Sequence, residues 1–159
     1  MEPDHDAQLL REAIGLARDH MRLGSGGPFG AIVARDGQPI SRGWNAVTTA
    51  LDPTAHAEVV AIRRACAHLR TFRLDGCTIY SSCEPCPMCL AAIYWARIDR
   101  VVFGAGRSDA AAVGFDDSRI YDEISLPRDA RTLRMRQLLH EEATDVLGEW
   151  VNLRERVPY

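Results

Sequence analysis

The sequence contains no lysine, and all 19 of its basic residues are arginine. That removes Schiff-base catalysis and the phosphate-gripping lysine of a P-loop from consideration. No apolar run approaches the roughly 20 residues that span a bilayer, so no membrane partner is expected. The N-terminus, MEPDHDAQ, is acidic and polar and lacks the basic-then-apolar pattern of a secretory signal. A closed disulfide framework is not indicated: the five cysteines are an odd number, which argues for a reducing compartment, and a cytoplasmic location is expected. Nor is there an excess of positive charge. A net charge of −3 gives no support to a folded nucleic acid as partner. Internal repeats, linkers and low-complexity segments are also missing, so the 159 residues are read as one domain with a sizeable core.

The chemistry that is present concentrates in two short stretches. Ser82 to Leu90 reads SCEPCPMCL and holds three of the five cysteines, with Cys-x-x-Cys spacing from Cys83 to Cys86 and again from Cys86 to Cys89. Upstream, PTAHAE (Pro53 to Glu58) offers His56 and, two residues on, Glu58. A catalytic zinc takes three protein ligands and keeps a fourth position for water, whose pKa it lowers to about 7. His56, Cys86 and Cys89 supply such a set. Two cysteines three apart at the start of a helix share one face, and the helix N-terminus favours thiolate over thiol. Cys83 is an alternative to Cys89, but TIYSSCE reads as a strand ending at Glu84, so that Cys83 belongs to the strand end, with Pro85 in the turn to the helix. Glu58, beside the metal but not bound to it, is placed to move protons. The bland readings are a structural zinc knuckle or a redox pair. A structural site normally shows two matched Cys/His pairs, and a redox motif would leave His56 and Glu58 without a role.

Along the chain, apolar residues from Asp4 to Leu23 recur at helical spacing, and Gly24 to Gly27 ends that helix. Two β-like runs around Asp36-Gly37 form a hairpin signal. Then come a helix over Ala55 to Leu69, a strand over Gly76 to Ser82, a helix over Cys86 to Arg97 and a strand over Arg100 to Gly106. The last of these, VVFGA, is apolar enough to be read as buried on both faces. The pattern is α/β: a three-layer α/β/α sandwich with a mixed central sheet, antiparallel in the hairpin and parallel after the helical crossovers.

These residues resemble the cytidine-deaminase-like superfamily of zinc deaminases, whose signature is His-x-Glu followed by Pro-Cys-x-x-Cys. The resemblance covers roughly Ala7 to Gly106, and within the superfamily the chain is most similar to the short bacterial guanine deaminases. GGPFGA (Gly26 to Ala31), the Asn45 stretch NAVTT, DPTAHAE, SCEPCPMCL, AIYWAR (Ala92 to Arg97), GFDDSRIY (Gly114 to Tyr121) and a terminal Tyr159 carry it. The resemblance implies one zinc per subunit on His56, Cys86 and Cys89, with Glu58 shuttling protons. It further implies that Asn45 and Ala57 contact the base, Phe29 stacks on it, Trp95 walls the pocket, and Asp117 contacts the purine and helps move protons to the leaving ammonia. A homodimer is implied too, with a C-terminal tail from about residue 140 onward swapped so that Tyr159 completes the partner's site. Read without the resemblance, Phe29 and Trp95 are core aromatics, Asn45 caps a turn, Asp116 and Asp117 cap a helix, and Tyr159 is a chain end.

The expected activity is hydrolysis of guanine to xanthine and ammonia. Other small amino-heterocycles, cytosine or an aminotriazine, would need only a few pocket changes. A tRNA adenosine deaminase would need a basic face, for which Arg128, Arg131, Arg134 and Arg136 are the candidates. A non-catalytic zinc scaffold for dimerisation would not need the acid at Glu58.

Overall fold

Asp36 and Gly37 both adopt positive φ, +50° and +73°, the backbone that a two-residue hairpin with right-handed strand twist requires. They join β1 (Gly30–Arg35) to β2 (Gln38–Trp44) in an antiparallel pair. The computed structural model describes residues 5–159, so the helix start expected at Asp4 lies outside the described residues. In chain order the elements are α1 (His5–Arg22), the hairpin, a short α2 (Val47–Ala50), α3 (Ala57–Leu69), β3 (Cys77–Cys83), α4 (Pro87–Trp95), β4 (Arg100–Ala105), α5 (Arg107–Ala112), α6 (Ser118–Ser125), a 3-10 turn at Arg128–Ala130 and α7 (His140–Asn152).

The sheet order is β2-β1-β3-β4. The first two pairings are antiparallel and β3 runs parallel to β4, giving the expected mixed sheet. Alternation along the strands divides the core in two. Ile32, Ala34 and Tyr80 face α1 through Leu9 and Ala13. Ala31, Val33, Cys77 and Ile79 face α3 and α4 through Ala57, Ala61, Ala65 and Ile93. One glycine on each strand of the hairpin lets a helix approach closely. A Cβ on Gly30 would meet the Ala13 carbonyl oxygen at 2.3 Å, and one on Gly43 would meet that of Ala57 at 2.2 Å. A clasp ties α1 to the sheet: Tyr80 Oη donates to Asp6 at 2.7 Å, and Arg100 grips the same carboxylate at 2.6 and 2.8 Å.

Two sequence readings need correction. β4 is not buried on both faces: it is one of the sheet's two outer strands, none of its residues is buried, and Phe103 is 45% exposed. The ligand-bearing helices also start later than expected. His56 and Cys86 are the N-caps of α3 and α4, both with extended backbone, and the first turns begin at Ala57 and Pro87.

The chain divides into two compact units, Met1–Asp117 and Ser118–Tyr159. The first holds the sheet and its helices. In the second, α6 is tied to the following segment where the Glu123 carboxylate accepts the Thr132 N–H and hydroxyl, both at 2.9 Å. None of its residues is buried.

Candidate active site

The loop before α3 is set by its own side chains. Asp52 Oδ1 accepts the N–H and hydroxyl of Thr54 at 2.8 and 2.7 Å, and the Ala55 N–H bonds back to the Asp52 carbonyl. His56 therefore enters as the N-cap with its ring free of capping duty. On the other side β3 ends at Cys83, Glu84 bonds across to the Ala105 carbonyl, and Pro87 opens α4 as its first residue, where a missing N–H costs nothing.

The two helix starts bring three donor atoms together. His56 Nδ1 lies 3.5 Å from Cys86 Sγ and 3.5 Å from Cys89 Sγ, and all three ligand atoms fall within 4.8 Å of one another. Zinc–nitrogen and zinc–sulfur bonds of about 2.05 and 2.3 Å at a tetrahedral angle require a nitrogen–sulfur separation of about 3.6 Å. The donor set thus fits zinc in both chemistry and spacing. Cys83 stands outside it, its thiol directed to the Gly106 carbonyl at 3.8 Å.

Charge is arranged around the same atoms. A hydrogen bond from Cys89, helped by His56, holds the Cys86 thiol down to about 4. Bonding to Cys86 and burial push Cys89 far up, so the two sulfurs together keep one proton. Zinc needs both as thiolates, and loading releases that proton. The Cys86 sulfur also raises His56. Glu58, in the first turn of α3 and 6% exposed, is pushed up by burial. Its Oε1 accepts the Ser81 hydroxyl at 3.1 Å and its Oε2 lies 3.4 Å from Cys89 Sγ. This is an acid against the ligand set without being part of it. Ser81 is a functional neighbour that sequence reasoning missed, because only the strand pairing sets it opposite α3.

The remaining expected residues fall as follows. Asn45 is buried, with Oδ1 accepting the N–H groups of Gly27 at 3.1 Å and Val47 at 3.3 Å, so the expected turn-capping occurs and the amide nitrogen is the end left for a ligand. The Ala46 N–H bonds to the Ala55 carbonyl, joining the Asn45 loop to the His56 loop. Just before it, Trp44 is sandwiched between the His20 ring at 3.6 Å and the Arg64 guanidinium at 4.2 Å. The Ala57 side chain is fully buried, which leaves its main-chain N–H at the open start of α3 as the group it can offer. Phe29 packs partly against the core and meets Phe115 edge-on at 4.9 Å, a contact the sequence reading did not foresee. Asp117 Oδ1 lies 3.6 Å from Arg107 Nε. Trp95 ends α4, roughly 9 Å along the helix axis from Cys89, and is 65% exposed. Tyr159 is exposed in the second unit.

Residues 3–105 match the cytidine and deoxycytidylate deaminase zinc-binding region. The chain is 49% identical to the guanine deaminase of Bacillus subtilis over 151 residues, covering 95% of this chain and 97% of that protein. The X-ray structure of guanine deaminase from Bacillus subtilis superposes with a TM-score of 0.93 at 48% identity, over 96% of this chain and 98% of that one. A tRNA-specific adenosine deaminase of Haemophilus influenzae is 38% identical over 74% of this chain and 70% of its own length.

Proposed function

This chain belongs to the cytidine and deoxycytidylate deaminase family, and from that premise we infer that it is a zinc-dependent guanine deaminase, hydrolysing guanine to xanthine and ammonia. The observation that carries the reading is the His56, Cys86 and Cys89 cluster with the Glu58 carboxylate packed against it. It sits in a chain similar over almost its whole length to a guanine deaminase.

Zinc held by these three residues supplies a Lewis acid that makes water nucleophilic near neutral pH. The rest is done by the protein. Glu58 takes a proton on its carboxylate as the water oxygen adds to C2 of guanine, and delivers it to N3. Glu58 then takes the second proton from the hydroxyl now on C2 and delivers it to the exocyclic nitrogen, so the C2–N bond breaks, ammonia leaves and the oxygen remains as the C2 carbonyl. Burial raises the proton affinity of Glu58, which suits a group that must hold a proton between these transfers. Asn45, its oxygen fixed by two main-chain donors, offers its amide nitrogen to a purine acceptor. The Ala57 N–H offers another donor, Phe29 stacks on the base, and Asp117 accepts from the purine and assists proton delivery to the departing amine.

The same inference extends to assembly. α7 carries Val146, Leu147, Trp150 and Val151, and all are exposed in the single chain. Apolar surface of that kind marks an interaction site. We assign it to a homodimer in which residues 1–159 act as one deaminase domain and the C-terminal tail crosses to the partner. Trp95 and Tyr159 then complete the pocket of the dimer. The five free thiols, and the lack of any described helix able to cross a membrane, support a cytoplasmic setting.

The test is ammonia and xanthine formation by zinc-loaded protein offered guanine, cytosine, adenine and an aminotriazine, beside Glu58→Gln. Turnover of guanine, reduced at least about a hundredfold in Glu58→Gln with zinc content intact, is the expected result. Activity on another base alone, or a fully active variant, would overturn the reading.

A further inference from the structure

We propose that Arg107 is a positioning residue for Asp117, holding its carboxylate aimed for the reaction; this rests on the guanine deaminase reading above. Arg107 opens α5, and the start of that helix is fixed from two sides. Its N–H donates to Glu84 Oε2 at 3.1 Å, and the preceding Gly106 N–H donates to Asp109 Oδ2 at 2.8 Å. Glu84 belongs to the metal-binding stretch itself, and its own N–H is bonded to the Ala105 carbonyl at 2.8 Å. The Arg107 backbone is thereby referenced to the strand end that carries Cys83 and leads to Cys86.

The other end of the connection is equally fixed. The Gly114 and Phe115 N–H groups bond back to the carbonyls of Ala111 and Ala110, both at 3.0 Å, closing a tight turn after α5. The Phe115 ring lies edge-on against Phe29, and the Phe29 carbonyl in turn accepts the Asn45 N–H at 3.0 Å. Asp117 follows two residues later with only 19% of its side chain exposed. The guanidinium with its nitrogen 3.6 Å away belongs to Arg107, whose Nε is itself buried. A carboxylate that must accept a hydrogen from substrate has to be fixed in direction, and a neighbouring guanidinium with its rigid, planar fork supplies that. Arg107 thus passes the geometry of the metal-binding stretch to the acid on the far side of α5.

The experiment compares Arg107→Met, Arg107→Lys, Asp117→Asn and the double variant Arg107→Met/Asp117→Asn, each zinc-loaded. Arg107→Met is expected to lower kcat by about 10- to 100-fold with a smaller change in KM, since a misaimed group affects the chemical step. Zinc content and Tm stay at wild-type values, and Arg107→Lys recovers part of the loss. In the Asp117→Asn background, Arg107→Met costs less than about twofold more, because its effect runs through a carboxylate no longer there. A damaged Asp117→Asn together with a wild-type Arg107→Met, or with fully multiplicative losses in the double variant, overturns the proposal. An Asp117→Asn enzyme at wild-type rate instead sinks the role given to Asp117 itself.

Discussion

Three cysteines sit within seven residues, and only two of their sulfurs reach His56. The difference is one of element ends. Cys83 closes β3 and its sulfur turns to the Gly106 carbonyl, whereas Cys86 caps α4 and Cys89 follows in its first turn. Burial, and after it the neighbouring Glu58 carboxylate, raises the Cys83 thiol, but it is the direction of its sulfur, away from His56, that keeps it out of the ligand set. The metal content of two variants after dialysis against a chelator separates these roles. Cys83→Ser should keep about one zinc per subunit, its hydroxyl able to take over the bond to Gly106. Cys89→Ser should lose zinc, and activity with it, because a serine hydroxyl does not ionise near neutral pH to replace a thiolate. Retention by Cys89→Ser with loss by Cys83→Ser would assign the site to the other cysteine pair.

At the scale of elements, the fold presents two helix N-termini to one point, and the clasp at Asp6 helps hold the opposite layer to the sheet. Arg100, and after it Tyr80, hold the Asp6 carboxyl at about 2, well below the ordinary carboxylate range. A depressed pKa stabilises the fold above the unfolded value of about 4 and ceases to do so as pH falls through the folded value. Both partners are partly exposed, so the clasp is worth no more than about 1 kcal/mol, or roughly 2–4 °C in Tm. Thermal unfolding of Asp6→Asn should therefore trail wild type near pH 7, and the gap should close between about pH 4 and pH 2. A gap that persists at pH 2 would assign the clasp to packing rather than charge.

Much of this layer was legible in the sequence. Asp36-Gly37 announced the hairpin because few residue pairs accept positive φ twice, and Pro85 announced the turn into a helix, whose first residue is Pro87, where a missing N–H costs nothing. Other features depend on distance in space. Ser81 looks like any strand serine until β3 is set opposite α3. Phe115 gains a meaning only when the turn after α5 brings it to Phe29. The apolar run of β4 read as buried on both faces because composition does not reveal what the rest of the chain lays over a strand.

At the scale of the whole molecule, the unit beginning at Ser118 has apolar side chains and no buried residue, so within a single chain its stability lacks the usual source. If the tail crosses to a second copy, a complete site combines Glu58 of one subunit with the tail of the other, and this can be tested with two subunits that are each inactive. One carries Glu58→Gln and an intact tail; the other keeps Glu58 and ends at Asn152. Each homodimer should be silent, the first for want of the proton carrier and the second for want of its tail. A mixed dimer isolated through two different tags then has one site with Glu58 and a tail from its partner, and should show about half the wild-type activity per dimer. An unswapped tail predicts silence in the mixed dimer, because the subunit with Glu58 has no tail of its own. Full activity of the shortened homodimer would remove Tyr159 from the site altogether, leaving the apolar face of α7 as a contact surface without a part in catalysis.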